Sequence, residues 1–245
     1  MTLGLRRRAE PGCPGASLVS LANVLWMEPR TLDHVAFWVA DRAPIVAFCE
    51  RHLGMHVIAE EANFTLVGSN ARHGKLTLFD AEGPRERGPL KHVGLRVSDL
   101  AAARSELPAG TGDVFDIGEG IHVTLVEAST DVEYDLDHVA LWAADPAATA
   151  EEYLRYGFEE SGAARVEVGG AYLELHEGDP SQGDRPLLNH LAVLVDSVDE
   201  HIAEAEEMGV VDNVVDAANT RAVFVWGPER VRIEYVEHKP EFALT

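Results

Sequence analysis

Residues 32–41 read LDHVAFWVAD and residues 136–145 read LDHVALWAAD; eight of the ten positions are identical, at an offset of 104. Each decamer is followed by a helix-like segment, Ala43 to Leu53 and Pro146 to Tyr156, that ends on a glycine, Gly54 or Gly157. Glycine accepts the left-handed conformation in which many helices stop. After each glycine the chain turns strand-like. A weaker echo lies inside each half: LKHVGLRVSDL at 90–100 and LNHLAVLVDSV at 188–198 again place a histidine third in a strand-like run. The repeat predicts four units, each strand, helix, then two or three strands. The expected class is α+β, with antiparallel-leaning sheets and helices outside. The expected domains are 32–128 and 136–238, joined by an acidic linker at Ser129–Asp135.

Length and charge agree with this division. The chain has 245 residues, room for two compact domains of about 100 to 120 residues each. Apolar residues make up 46%, enough to bury a core. With 42 acidic and 20 basic residues the formal charge is −22. A polyanion is repelled by nucleic acid and anionic membranes, which argues against both as partners. Only Lys75, Lys91 and Lys239 are lysines; a salty cytoplasm or a GC-rich genome explains that equally well. Two cysteines, Cys13 and Cys49, make no disulfide framework, so a reducing cytoplasm is expected. No apolar run reaches the ~18 residues of a membrane span.

Residues 1–31 read as an N-terminal extension. Arg6, Arg7 and Arg8 precede an apolar run from Ala16 to Trp26, which imitates a signal peptide, but Pro11 and Pro14 intervene and no cleavage site follows. Met27 is an alternative start, and a packed arm is the other reading.

His34, His92, His138 and His190 occupy the matching repeat positions. In the second decamer, alternation places His138, Ala140 and Trp142 on one strand face. A single strand histidine usually packs in a core; four at one repeat position point to a shared task, or to shared ancestry alone. A metal needs carboxylates as well. Glu174 in AYLELHE and Glu234 in VRIEYVE alternate with apolar neighbours. Each either points into a cavity or lies on a solvated sheet face. In the first half Leu78 and Thr124 align with them, so both carboxylates are missing there. His34 and His92 remain, with His122 on the face of Thr124, and read as a degenerate site that packs or walls a pocket.

This pattern resembles the vicinal oxygen chelate superfamily, which includes glyoxalase I, methylmalonyl-CoA epimerase, extradiol dioxygenases and resistance proteins. The resemblance covers residues 32 to about 238 and rests on the four histidine-bearing strands and the closing GPERVRIEYVE at 227–237. It implies four βαβββ modules paired into two half-barrel domains, each pair curling around one metal. Carried over, it implies metal ligands His138, His190 and Glu234, with Glu174 as a fourth. The ion is a divalent metal: iron, manganese, nickel, cobalt or zinc.

Three functions follow from the resemblance. The first is a lyase or isomerase acting on a small oxygen-rich substrate. There the metal stabilises an enediolate, and Glu174 or Glu234 moves the proton. Arg232 and His176, on the faces of those carboxylates, would hold an anionic group or relay a proton. The second is an extradiol ring-cleaving dioxygenase. Against it, Phe224 stands in the place of the expected tyrosine, and no histidine precedes Glu174 in RVEVGGAYLEL. The third is a non-catalytic binding protein. Pairing module 1 with 2 and 3 with 4 is assumed throughout, and a homodimer is compatible with the exposed edges.

Overall fold

In a computed structural model of the chain, residues 28–83, 85–181, 183, 185–240 and 242–244 are described. The N-terminal extension and Cys13 lie outside these residues. The first module comprises β1 (Thr31–Val39), α1 (Arg42–His52), β2 (His56–Glu61), β3 (Phe64–Gly68) and β4 (Lys75–Asp80). The second comprises β5 (Leu90–Val97), α2 (Leu100–Ser105), β6 (Val114–Asp116) and β7 (His122–Glu127). The third comprises β8 (Asp135–Ala143), α3 (Pro146–Tyr153), β9 (Glu159–Gly162), β10 (Arg165–Val168) and β11 (Ala171–Glu177). The fourth comprises β12 (Leu188–Leu194), α4 (Val198–Met208), β13 (Val211–Asp216), β14 (Thr220–Trp226) and β15 (Arg232–His238).

The repeated decamer encodes both a strand and the start of a helix. Val35, Phe37 and Val39 are fully buried, while His34, Ala36 and Trp38 occupy the opposite strand face. The closing aspartates then cap the helices. Asp41 accepts from the Ala43 amide at 3.0 Å, and Asp145 from the Ala148 amide at 3.1 Å. Gly54 (φ 57°) and Gly157 (φ 81°) are left-handed, as the helix stops require.

The sheets combine the modules differently from the expectation. An eight-stranded sheet runs β13-β14-β15-β12-β1-β4-β3-β2, and a seven-stranded sheet runs β6-β7-β5-β8-β11-β10-β9. Module 1 therefore shares a sheet with module 4, through antiparallel β1 and β12. Module 2 shares a sheet with module 3, through antiparallel β5 and β8. Sequence neighbours meet instead through packing and turns. Phe48 of α1 packs on Phe115 of β6. Glu119 accepts from the Ala40 and Asp41 amides, and Glu229 from the Ala144 amide and the Thr149 hydroxyl. One hydrophobic core draws on all four modules. The expected linker is part of it: Tyr134 is buried, and Asp135 begins β8 and accepts from the Gly74 amide.

Candidate metal centres

Sheet pairing decides which histidines meet. In the larger sheet His34 of β1 and His190 of β12 face Glu234 of β15, and these three form one group of converging donors. In the smaller sheet His92 of β5 and His138 of β8 converge with Glu174 of β11. The four residues expected to share one ion, His138, Glu174, His190 and Glu234, are thus divided between two sites. The expected degenerate site in the first half is not formed, because His34 and His92 each complete a triad with a histidine from the second half.

We call the His34/His190/Glu234 cluster centre A. Its three donor atoms are in mutual contact: His34 Nε2 to His190 Nε2 is 3.0 Å, His34 Nε2 to Glu234 Oε2 is 3.2 Å, and His190 Nε2 to Glu234 Oε2 is 2.9 Å. An ion roughly 2.0–2.2 Å from three donors at right angles separates them by about 2.8–3.1 Å; tetrahedral donors would stand about 3.3–3.6 Å apart. The observed spacing is nearer to that of three ligands at right angles than to a tetrahedral set, and such a set would leave further positions for substrate. The remaining ring nitrogens are held from behind, His34 Nδ1 by Asp33 at 2.8 Å and His190 Nδ1 by Asn189 at 3.0 Å. Such partners fix ring orientation and direct Nε2 to the ion. Asp33 is itself held by the buried Lys75 ammonium at 2.8 and 2.9 Å and by His238 at 3.1 Å.

The electrostatics of centre A describe a cluster built for a cation. Burial works against the His34 imidazolium, but its bonds to Asp33 and Glu234 raise it from 6.5 to about 9. Burial also opposes the Glu234 carboxylate, yet the adjacent His190 and His34 hold it down to about 2. Burial lowers His190.

Centre B is the His92/His138/Glu174 cluster. His92 Nε2 and His138 Nε2 are 3.0 Å apart, and Asp137 holds His138 Nδ1 at 2.7 Å. Lys91, not an acid, precedes His92, and burial followed by the neighbouring His138 lowers His92 to about 4. Glu174 leans toward His176, 3.0 Å from its Nε2, and its side chain is 42% exposed. Centre B is therefore looser than centre A, and its carboxylate is shared.

The strand registers show why each centre has one carboxylate. Glu174 lies beside Ala140, and the equivalent neighbour of Ala36 is Thr77. The sequence alignment with Leu78 is one residue out of register. Glu234 lies beside Ala192, and Thr124 lies beside Gly94 in the same way, as expected. Each pair of modules thus offers two carboxylate positions and fills one with glutamate and the other with threonine.

The other expected residues are placed as follows. His122 joins neither triad and contacts the Arg87 guanidinium. Arg232 is engaged by Asp212, with Nε at 2.8 Å and Nη2 at 2.7 Å, and lies 4.0 Å over the Phe224 ring, so its charge is already neutralised. Phe224 stands edge-on to His190. The sequence reading missed Asp33, Asp137 and Asn189. The available signal was the acid or amide before three of the four histidines.

A family model described as Glyoxalase/Bleomycin resistance protein/Dioxygenase superfamily matches residues 31–130. Residues 31–130 are thus similar to this superfamily. Solved structures share the fold across most of the chain. A "putative dioxygenase" from Bacillus subtilis subsp. subtilis str. 168 is 16% identical, with a TM-score of 0.70, covering 89% of this chain and 88% of that one. Glyoxalase I from Zea mays is 14% identical, with a TM-score of 0.66 and coverage of 84% and 92%. The cppA protein from Streptococcus pneumoniae TIGR4 is 14% identical, with a TM-score of 0.57 and coverage of 85% and 98%. At these identities the likeness is one of fold. No curated protein matches the sequence. Among the described residues no helix is long and apolar enough to cross a membrane.

Proposed function

We propose that this protein is a member of that superfamily and a divalent-metal-dependent enzyme whose small oxygen-rich substrate binds through its oxygens at centre A, and that its reaction is of the dioxygenase rather than the isomerase or lyase type. The observation that carries this reading is the separation of Glu174 from Glu234. Enediolate chemistry is best served by a base beside the metal in addition to the ligands, because otherwise Glu234 would have to leave the ion to act. At centre A that position holds Thr77, a hydroxyl that is no base at neutral pH. Two histidines and one carboxylate with open positions suit iron(II) and oxygen.

His34, His190 and Glu234 would hold the ion, and Asp33 and Asn189 fix the two imidazoles in the required tautomer. A bound divalent ion supplies a Lewis acid and, as iron(II), redox chemistry. Phe79, 6.0 Å from His190 between ring centres, and Phe224, edge-on at 5.2 Å, would offer apolar walls to a flat ring. Phe224 donates no proton, so a dioxygenase built here must take its protons from elsewhere.

The test is metal content of the tag-free chain prepared anaerobically, alongside Glu174→Ala and Glu234→Ala. The expected result is two ions in the parent and one in each variant, with oxygen uptake on catechols by the iron-loaded parent lost in Glu234→Ala. Metal-dependent turnover of a hemithioacetal without oxygen would restore the isomerase reading. Absence of metal after reconstitution would leave a binding protein.

A further inference from the structure

Centre B differs from centre A in its walls. Registers make the comparison position by position. Leu66 lies opposite Thr77 across β3 and β4, and Arg165 lies opposite Glu174 across β10 and β11. Phe79 stands beside Trp38, and His176 stands beside Trp142. Two apolar wall positions of centre A are therefore an arginine and a histidine in centre B.

Arg165 is poised rather than consumed. Its guanidinium carbon lies 3.4 Å over the Tyr172 ring, and that ring stacks on His138, with centroids 4.8 Å apart and planes at 17°. One ring face cannot hold both groups, so Tyr172 is sandwiched between a triad ligand and the arginine. Arg165 Nε is buried with no hydrogen-bond partner. Among the described residues Arg165 forms no ion pair with a carboxylate, whereas Arg232 at centre A is held by Asp212. Two more cations lie toward this side of the smaller sheet. Lys91 Nζ is 5.0 Å over the Trp142 ring and Arg87 contacts His122, again without a carboxylate partner among the described residues. In a chain of net charge −22, cations left without acids mark a place where an anion is expected from outside. Arg85, another arginine without a described acid, lies near Trp38, four residues along β1 from His34, roughly 13 Å away at strand spacing.

We propose that centre B is a second binding site, selective for an anionic, carboxylate-bearing ligand, with Arg165 as its anion anchor. The chelating part of this assignment rests on the metal reading above; the anion part rests on Arg165 alone. A guanidinium prefers a planar carboxylate, to which it presents two parallel donors. The stack on Tyr172 fixes the plane of that fork and its distance from the triad.

The experiment uses Glu234→Ala, which leaves only centre B for cobalt(II). Calorimetry compares 3,4-dihydroxybenzoate with catechol; the two share the chelating diol and differ by the carboxylate. The carboxylate should tighten binding at least tenfold. Arg165→Met, which keeps the stack on Tyr172, should reduce the ratio to near one while leaving cobalt(II) affinity unchanged. Equal binding of the two probes, or a ratio that survives Arg165→Met, would overturn the proposal. Failure of cobalt(II) to bind would instead refute the metal reading. The anion arm is then read on the metal-free chain from the shift of the Arg165 Nε–H signal with benzoate. A shift supports the anchor, and its absence at millimolar benzoate overturns it.

Discussion

The imidazole of His138 occupies the space where a side chain on Gly94 would begin: a Cβ there would lie 2.2 Å from both Cε1 and Nδ1 of the ring. Gly94 and His138 face each other across β5 and β8. The matching partner of His34 in the other sheet is Ala192, so only centre B depends on a missing side chain. Gly94→Ala must displace a ring tethered at both nitrogens. It should cost about 1–3 kcal/mol by overpacking and weaken metal at centre B about 10- to 100-fold. Thermal unfolding and cobalt(II) titration would show this, with centre A unchanged.

Asp33 and Lys75 form a buried pair behind centre A, with side chains 2% and 3% exposed. Removing one partner strands the other charge away from water. Asp33→Ala should therefore destabilise the fold by about 3–5 kcal/mol, more than the loss of a support for His34 alone explains. Adding Lys75→Met should recover most of the stability but not the metal affinity. Denaturant unfolding of the two singles and the double would decide it; additive losses would refute the coupling.

The proton on His34 competes with metal. Its folded value is raised from 6.5 to about 9, so its contribution to stability is complete below 6.5 and is lost as pH rises through 9. Glu234 is depressed from 4.5 to about 2; its contribution is present above 4.5 and lost as pH falls toward 2. The metal-free chain should draw most stability from this pair between about pH 4.5 and 6.5. Metal affinity at centre A should rise about tenfold per pH unit up to about 9, with one proton released per ion at pH 7. Calorimetry in buffers of different ionisation enthalpy would count that proton. Release that persists in His34→Gln would place it elsewhere.

Thr77 stands where a second carboxylate would complete centre A. Thr77→Glu should tighten zinc or nickel there by about tenfold or more, since a further charged oxygen joins the donor set. It should also suppress any oxygen-dependent turnover by closing an open position. Unchanged affinity with an intact fold would show that this position does not reach the ion.

Much of this was legible in the chain itself. The repeated LDHVA decamers, the aspartates that end them and the glycines after the helices specify strand, cap and stop locally, through alternation and backbone conformation. They determined the four modules, and the shared histidine position marked the residues that converge in the two clusters. Which histidine meets which was decided only by the tertiary structure. Strand partnership depends on apolar faces far apart in sequence finding one core, and β1 pairs with β12 while β5 pairs with β8. Glu174 and Glu234 looked like one ligand set because they lie in the same half; sheet pairing carried them to opposite centres. The same holds for the arginines: residue type cannot show that Arg232 is neutralised by Asp212 while Arg165 is not, because a charge is consumed or left available only by what folding places beside it.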